Sequence, residues 1–206
     1  KKDHAILLDT SDLSYEYAPL ELPHQKIIVT NSQKARLAVD ERYQERQAQC
    51  QEALHDLQTV IAIQNLSELT ADVFEQVQEM IRRPVCLRRA RHAVTENQRT
   101  IQAVEALNKG DIREFGQLMN ASHLSLKEDF EVSCEELDIL VEEAWEIEGV
   151  LGSRMMGAGF GGCTISIVEN DAVNEFVSRV GSHYKERTGR TAEFYIMETG
   201  NGASEV

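Results

Sequence analysis

Short segments of alternating apolar and polar residues lie at both ends of the chain, with longer segments of helical periodicity between them. Three β-type segments occupy residues 5–9, 14–22 and 26–31. Their connections are short, which predicts antiparallel pairing because a parallel crossover needs a dozen or more residues. Near the other end, strands are predicted at 163–168, which is rich in β-branched residues, and at 193–197.

The middle of the chain predicts helices. Between residues 43 and 61, side chains that suit one stripe recur every three or four positions, which indicates a long amphipathic helix. Pro84 marks a boundary, because proline is tolerated in the first turn of a helix and disrupts its interior. A second apolar stripe at 137–145 predicts a helix that ends near Gly149, and residues 171–187 predict a last helix.

Local signals also predict where helices begin and end. Gly110 is expected to be a left-handed cap at the end of one helix. Asp111 with Glu114 predicts a capping box at the start of the next helix, and Ser133 with Glu136 repeats the pattern. Strands at both ends with helices between them predict an α+β fold, in which an antiparallel sheet of about four strands pairs the first segments with the last and packs against several helices.

Glycines are concentrated in one stretch, "GSRMMGAGFGGC" at residues 152–163, which holds five of the chain's 12. Such density indicates backbone at positive φ, or backbone that another group approaches closely, because a Cβ would block both. A plain hairpin turn between two strands explains the stretch equally well.

Residues 157–162 of this stretch match the GxGxxG dinucleotide fingerprint literally. That fingerprint requires a helix directly after the loop, whereas a strand is predicted here. A Walker A phosphate loop is excluded as well, because Cys163 stands where that motif has lysine. What remains is a strand, a turn and a strand whose N–H groups either line an anion site or brace a neighbouring phosphate loop.

The 206 residues carry 21 Lys and Arg against 35 Asp and Glu, a formal net charge of −14. This balance excludes a free-standing nucleic-acid binder, which needs a basic surface. Between residues 128 and 148 there are acidic residues and no basic ones. We expect a solvated helix face there rather than a metal site, since the acids are spread along the segment. Ion pairs within the protein or at an inter-domain contact are expected for Arg82, Arg83, Arg88, Arg89 and Arg91.

The remaining chemistry of the chain indicates a cytoplasmic protein. Its four cysteines, at positions 50, 86, 134 and 163, form no CxxC pair, so we expect reduced thiols. No apolar run approaches the roughly 18–20 residues that span a bilayer. His92 and His123 lie in helical patterns and are expected to pack rather than to catalyse. The chain begins at Lys1 and enters a strand almost at once, so we expect it to be part of a longer protein.

Three stretches resemble the GHMP small-molecule kinases, in their galactokinase branch. "GSRMMGAGFGGCTISIV" is similar to the third motif of that family, and "TNSQKARLAVDERYQERQAQC" at 30–50 and the segment 88–144 resemble galactokinases independently. They follow the family's order and cover nearly all of the chain. The resemblance implies a GHMP kinase C-terminal domain over residues 1–206, of ferredoxin-like topology and without the N-terminal ATP-binding domain. One departure is Met156, where the family commonly has threonine.

The resemblance implies phosphorylation of D-galactose at O1 by Mg-ATP, which gives galactose 1-phosphate and ADP. In that family the galactose-binding Gly-Glu-His segment, the serine-rich phosphate loop with its magnesium-binding residues and the catalytic Asp-Arg pair all precede the segment matched here. ATP and Mg²⁺ are therefore expected to be bound mainly by the N-terminal domain, which is the expected partner of this chain. No catalytic residue is expected within the chain, Asp9 included, and neither nucleic acid nor a membrane is an expected partner.

Within the chain, the resemblance places a contact with a galactose hydroxyl at Tyr43, in a Tyr-x-x-Arg element that Arg46 completes. A phenol suits this task because it donates and accepts hydrogen bonds while its ring lies against the sugar. The register of Tyr43 with Cys50 and Leu54 favours packing instead. Residues 153–154, a Ser-Arg pair, are candidates for a substrate contact, but a position at the surface beside a strand is expected instead. The glycine loop expected at the domain cleft comprises Gly157, Gly159, Gly161 and Gly162.

Two other classes of function stay open on the sequence. A non-catalytic sensor of the same fold would bind galactose and ATP in order to recruit a partner. A stand-alone α+β binding module with no kinase ancestry would lack the catalytic parts altogether. A serine-rich loop and an Asp-Arg pair upstream of Lys1 would favour the enzyme. A related sugar kinase, such as an N-acetylgalactosamine kinase, is a further alternative, because sugar discrimination rests mostly on residues outside this chain.

Overall fold

A computed structural model describes residues 1–35 and 39–202. Residues 36–38, which belong to one of the three stretches that resemble galactokinases, lie outside the described part. In chain order the elements are β1 (His4–Leu8), β2 (Tyr15–Pro19), β3 (Gln25–Asn31), α1 (Val39–Leu57), α2 (Ala71–Val77), α3 (Pro84–Asn108), α4 (Ile112–Glu128), α5 (Glu135–Trp145), β4 (Val150–Met155), β5 (Cys163–Glu169), α6 (Val173–Thr188) and β6 (Glu193–Met197), with short 3₁₀ turns at Leu66–Glu68 and Gln78–Met80.

Four of the strands form one antiparallel sheet in the order β4-β5-β3-β6. β3 lies in the middle and pairs with β5 on one side and with β6 on the other. β4 is an edge strand that pairs with β5, with a bulge between Val150 and Gly152. The α+β class and the four-stranded antiparallel sheet predicted from the sequence are therefore confirmed.

The first two strands depart from the prediction, because β1 and β2 pair with each other in a separate two-stranded sheet. Only β3 joins the strands from the other end of the chain. Pro19 at the end of β2 and Pro23 before β3 are the physical reason: proline has no N–H to donate to a ladder, so the β1–β2 pairing ends at Pro19 and one continuous strand cannot run through Pro23 into β3. The Leu20 N–H instead bonds back to the Asp3 carbonyl (2.9 Å), which closes the small sheet.

The helices form two layers. One packs on the sheet, and the other surrounds a second core. α5 and α6 cover one face, where Ile28 of β3 is buried against Leu140, Phe176 and Tyr184. α1, α2 and α3 enclose a second core around residues such as Leu57. α3 also packs on α4, and α4 packs on β4, which connects this helical layer to the sheet. In the part of the chain that the structure describes, no helix is both long and apolar enough to cross a bilayer.

The predicted helix ends are confirmed at one junction and wrong at another. Gly110 has φ +70°, and the Asp111 carboxylate accepts a hydrogen bond from the Glu114 N–H (2.9 Å) at the start of α4. Ser133 does not cap α5, which begins one residue later than expected, after Cys134. The Ser133 hydroxyl donates instead to the Asp138 carboxylate, a longer-range partner than a capping box allows for.

Two predicted helices are also shorter than their apolar stripes suggest. α1 ends at Leu57, and Ile61 lies beyond it in an irregular turn. α5 ends at Trp145, whereas Gly149 has φ +90° and belongs to the turn that leads into β4. In both cases the stripe continues past the helix because the turn that follows buries apolar side chains against the same core.

A helix and the sheet approach each other very closely where Gly116 of α4 meets β4. A Cβ on Gly116 would lie 2.2 Å from the Leu151 carbonyl oxygen, and a Cβ on Gly152 would lie 2.2 Å from the Gly116 oxygen. Only glycine fits on either side of this contact. The backbones of α4 and β4 therefore touch directly, and side chains of α4 can reach the main chain of the edge strand.

We expect Gly116→Ala to lower the free energy of unfolding by about 3 kcal/mol, because the new Cβ meets a main-chain oxygen that cannot rotate away. Gly110→Ala is the control: it has positive φ and open space around it, so its cost is conformational alone, about 1 kcal/mol. Urea unfolding of both variants measures the difference. Equal losses in the two variants would contradict the close contact.

Candidate functional site

The glycine-rich stretch forms the loop between β4 and β5. Strand β5 begins at Cys163 directly after it, so the structure has the predicted strand, turn and strand and lacks the helix that a dinucleotide fingerprint requires. The backbone has positive φ at five of its residues: Gly157 (+71°), Gly159 (+75°), Phe160 (+53°), Gly161 (+119°) and Gly162 (+90°). The glycines are thus placed where the chain runs through conformations that side chains rarely adopt.

Main-chain groups of the surrounding protein hold this loop. The Phe160 N–H donates to the Val132 carbonyl (2.6 Å). The Gly162 carbonyl accepts from the N–H and the hydroxyl of Ser32, and the Gly162 N–H donates to the Lys34 carbonyl. A Cβ on Gly159 would lie 2.1 Å from the Val132 oxygen. The two explanations based on the missing Cβ are therefore both correct: the backbone has positive φ, and another group approaches it closely. That group is the protein's own backbone.

The tip of the loop has N–H groups that other described residues leave unused. Gly157, Ala158 and Gly159 make no main-chain hydrogen bond to any residue in the ranges 1–35 and 39–202. Gly157 is exposed, Ala158 is half-buried and Gly159 is buried. Consecutive N–H groups beside left-handed residues form a concave surface suited to an anion.

Tyr43 lies beside this loop. Its ring meets those of Phe160 and Phe130 edge to face, with centroids 6.3 Å apart in both pairs. The Arg42 guanidinium lies over the Phe160 ring, 4.8 Å from its centre. On the other side, the His92 ring stacks on that of Phe130, with the ring centres 4.5 Å apart. The structure thus brings Tyr43 and the glycine loop together, although they are far apart in the sequence.

The outer side of Tyr43 lines an open groove of about 570 Å³. The residues that border this groove are Asp40, Tyr43, Gln44, Gln47, Cys50 and Phe130. Burial raises the pKa of the Cys50 thiol to about 11, so this cysteine stays protonated near neutral pH and is a poor nucleophile. Tyr43 is half-buried, so it packs, as its periodicity with Cys50 indicates, and also faces the groove.

The expectation of a surface pair at Ser153 and Arg154 is wrong. Ser153 is fully buried, and its hydroxyl lies 2.8 Å from that of Ser166 on β5. The Arg154 Nε donates to the Met155 carbonyl (3.1 Å), and burial lowers the pKa of its guanidinium despite the Glu96 carboxylate nearby. The reason is that these residues belong to β4 itself, which α4 covers.

A cavity next to the loop has no counterpart in the sequence analysis. It has a volume of about 380 Å³ and lies between α3, α4 and the sheet. Its wall is mostly apolar, with Arg154, Arg99 and Glu96 at its polar edge and Met156 and Gly157 of the loop region beside them. No sequence signal could have found it, because its polar residues come from two elements far apart in the chain.

The charged clusters are mostly paired. All five arginines of the basic cluster form ion pairs within the chain, with Asp56, Glu52, Glu131 or Asp129, so that prediction is confirmed. The acidic segment is not simply a solvated face, because several of its carboxylates bond to cations elsewhere, such as Glu136 to Lys34 (2.7 Å). In the ranges 1–35 and 39–202, no three His, Cys, Asp or Glu side chains come together in a way that could hold a metal ion.

Both histidines expected to pack are buried. His92 Nδ1 lies 2.9 Å from the Ser125 hydroxyl. His123 Nδ1 accepts a hydrogen bond from the Met155 N–H (3.2 Å), at the point where β4 leads into the glycine loop. This second contact is one that the sequence analysis missed, because helical periodicity shows that His123 is buried and not what it bonds to.

Part of the chain matches a known protein family. Residues 103–186, which include the glycine loop, match the family model described as GHMP kinases C terminal. This segment is therefore similar to the C-terminal domain of the GHMP kinases.

Within that family, the chain is similar along its full length to galactokinases. It is 51% identical over 206 residues to galactokinase from Levilactobacillus brevis and 53% identical over 207 residues to that from Fusobacterium nucleatum; each alignment covers 100% of this chain and 53% of the relative. The crystal structure of Lactococcus lactis galactokinase complexed with galactose superposes with a TM-score of 0.94 at 44% identity, over 100% of this chain and 53% of that one. The chain thus spans about half the length of these relatives.

The buried His92 predicts a specific pH dependence of stability. Burial lowers the pKa of His92 from 6.5 to about 4. Between these values the unfolded chain binds a proton that the folded chain does not, so the free energy of unfolding falls as the pH falls through this window. We expect a loss of about 1 kcal/mol between pH 7.0 and 5.5 that His92→Gln abolishes, measured by urea unfolding. An unchanged pH dependence in the variant would contradict a neutral, buried His92.

Proposed function

We propose that this chain is the C-terminal half of a galactokinase, which phosphorylates D-galactose at O1 with ATP and gives galactose 1-phosphate and ADP. The observation that carries this proposal is the contact of Tyr43, which lines an open groove, with Phe160 of the glycine loop. The identity of about one half to proteins named galactokinase, along the whole chain, supports the same substrate.

On the sugar side, Tyr43 contacts a galactose hydroxyl. Its half-buried ring is fixed by the edges of Phe130 and Phe160, so its hydroxyl is held in one direction. A phenol both donates and accepts hydrogen bonds, and the aromatic surface beside it suits the apolar face of a sugar ring. The groove at this position is large enough for a monosaccharide.

On the phosphate side, the glycine loop contributes main-chain N–H groups. Those of Gly157, Ala158 and Gly159 suit an anion or the backbone of a neighbouring phosphate loop. Phosphoryl transfer depends chiefly on positioning and charge stabilisation, which rigid backbone donors supply well. Met156, in place of the family's usual threonine, brings no hydroxyl to this point, so we assign it no hydrogen bond to substrate.

The remaining catalytic parts belong to the N-terminal domain of the whole protein. The described residues contain no cluster of acidic ligands that fits Mg²⁺, so we derive no step through the metal from them. We assign the catalytic base, the magnesium ligands and most of the ATP contacts to that domain. The C-terminal domain itself runs over residues 1–206.

The β1–β2 sheet is the surface that we expect to contact the N-terminal domain. An isolated pair of strands is marginally stable, and this one exposes large apolar side chains that packing against another domain would cover. These are Ile6, Leu8, Leu13, Tyr15 and Tyr17. Four free cysteines are consistent with work in the reducing cytoplasm, where ATP is also supplied.

Tyr43→Phe in the intact enzyme is expected to raise the KM for galactose about 2- to 10-fold with little change in kcat, because one hydrogen bond to a neutral hydroxyl is lost. Tyr195→Phe is the matched control, since this tyrosine is half exposed on β6 and bonds only to Glu193 among the described residues. Steady-state kinetics with ADP release as readout measures both. An unchanged KM in Tyr43→Phe would remove Tyr43 from the sugar site.

The 206-residue chain alone is expected to show no galactose-dependent release of ADP from ATP. The reason is that the groups assigned to the base and to Mg²⁺ lie in the other domain. A coupled assay with and without galactose, beside the intact enzyme, makes the comparison. Substantial turnover by the chain alone would overturn this division of parts.

A further inference from the structure

The turn at residues 129–132 connects the two halves of the proposed site. Glu131 lies in it with φ +54°, a conformation that is unfavourable for a glutamate and needs support from its surroundings. At one end of the turn, the Phe130 ring packs against Tyr43. At the other end, the Val132 carbonyl accepts the hydrogen bond from Phe160 in the glycine loop. A shift of this turn would therefore move the tyrosine and the loop together.

Arg46 holds the turn from the side of α1. Its Nε donates to the Phe130 carbonyl (2.7 Å), and its Nη2 donates to the Glu131 carbonyl (3.1 Å). The residue is only 9% exposed. Arg46 follows Tyr43 by three residues, so both lie on the same face of the helix. The planar fork of a guanidinium is suited to two carbonyls at once, and a lysine cannot reproduce it.

Arg89 holds the same turn from the side of α3. Its Nη1 donates to the Asp129 carbonyl and its Nη2 to the Glu131 carboxylate. Its Nε donates to the Gln49 side chain (2.8 Å), and Gln49 in turn donates to Glu45 (2.9 Å). Arg89 is 1% exposed. A guanidinium buried this deeply is tolerated only because its donors are satisfied.

We propose that Arg46 and Arg89 act as positioning residues for the site, as an arginine clamp that fixes the 129–132 turn and thereby sets Tyr43 against the glycine loop. This proposal rests on the proposed function. The clamp touches no substrate. It acts through the main-chain carbonyls of 129–131 and the Glu131 carboxylate, and the turn transmits its geometry to Phe130 on one side and to Phe160 on the other.

Arg46→Lys in the intact galactokinase tests the clamp, with Arg83→Lys as the matched control. Arg83 also joins α3 to α1, through Glu52 (2.7 Å), and has no hydrogen bond or ion pair with the described residues of the turn. For Arg46→Lys we expect amide hydrogen exchange in a peptide covering 156–163 to become about 10-fold faster, because the bond from Phe160 to Val132 loosens. For Arg83→Lys we expect no change there.

The kinetic arm separates positioning from stability. Arg46→Lys is expected to raise the KM for galactose about 10-fold, whereas Arg83→Lys stays within about 2-fold. Because Arg46 acts through Tyr43, the effects of the two substitutions should not be independent. We expect the KM of the double variant Arg46→Lys/Tyr43→Phe to rise by less than the product of the two single-variant increases. Independent, fully multiplicative effects, or equal behaviour of Arg46→Lys and Arg83→Lys, would overturn the clamp.

The arms also separate this proposal from the proposed function. If Tyr43→Phe leaves the KM for galactose unchanged, the sugar contact is wrong, while the exchange measurement still decides whether Arg46 holds the loop. If Arg46→Lys fails to fold, Glu45→Ala replaces it: Glu45 is mostly exposed and supports Arg46 (3.1 Å) and Gln49 from outside. For Glu45→Ala we expect amide exchange in the 156–163 peptide to become about 3-fold faster and the KM for galactose to rise about 3-fold. Their absence would count against the clamp.

Discussion

The direct contact between the backbones of α4 and β4 is the constraint on which the rest of the site depends. Gly116 and Gly152 leave no space between helix and strand. As a result, Asn120 reaches the Ser153 N–H (2.8 Å) and His123 reaches the Met155 N–H (3.2 Å). The end of β4 is thereby fixed at the point where the glycine loop begins. A looser helix would leave the loop anchored on one side only.

Main-chain carbonyls are the acceptors of most of the hydrogen bonds described around that loop. Val132 and Lys34 supply them to the loop, and the 129–132 turn offers its own to Arg46 and Arg89. Contacts of this kind depend on where the backbone runs and only indirectly on side-chain identity. They hold the region in place through the backbone, while Tyr43, Phe130 and Cys50 line the groove together with the polar residues Asp40, Gln44 and Gln47.

The sequence predicted the parts of the fold that local signals determine. β6 was predicted at its observed limits, 193–197, and the junction at Gly110 and Asp111 was predicted together with its chemistry. Contacts across long separations in the chain could not be predicted. The hydrogen bond from Arg46 to Phe130 joins residues 84 positions apart, and no periodicity reports it. Ser133 shows the same limit, because a capping pattern does not reveal that Asp138 competes for its hydroxyl.

The treatment of β4 at the sheet edge also bears on self-association. An edge strand ordinarily presents unpaired N–H groups on which another chain can add a strand. Here two of those groups are already bonded, at Ser153 and Met155, by side chains from α4. The helix packs against this edge, and its side chains occupy these two positions of the ladder. The end of β4 that leads into the glycine loop is thus protected from strand exchange by the same side-chain contacts that fix its position.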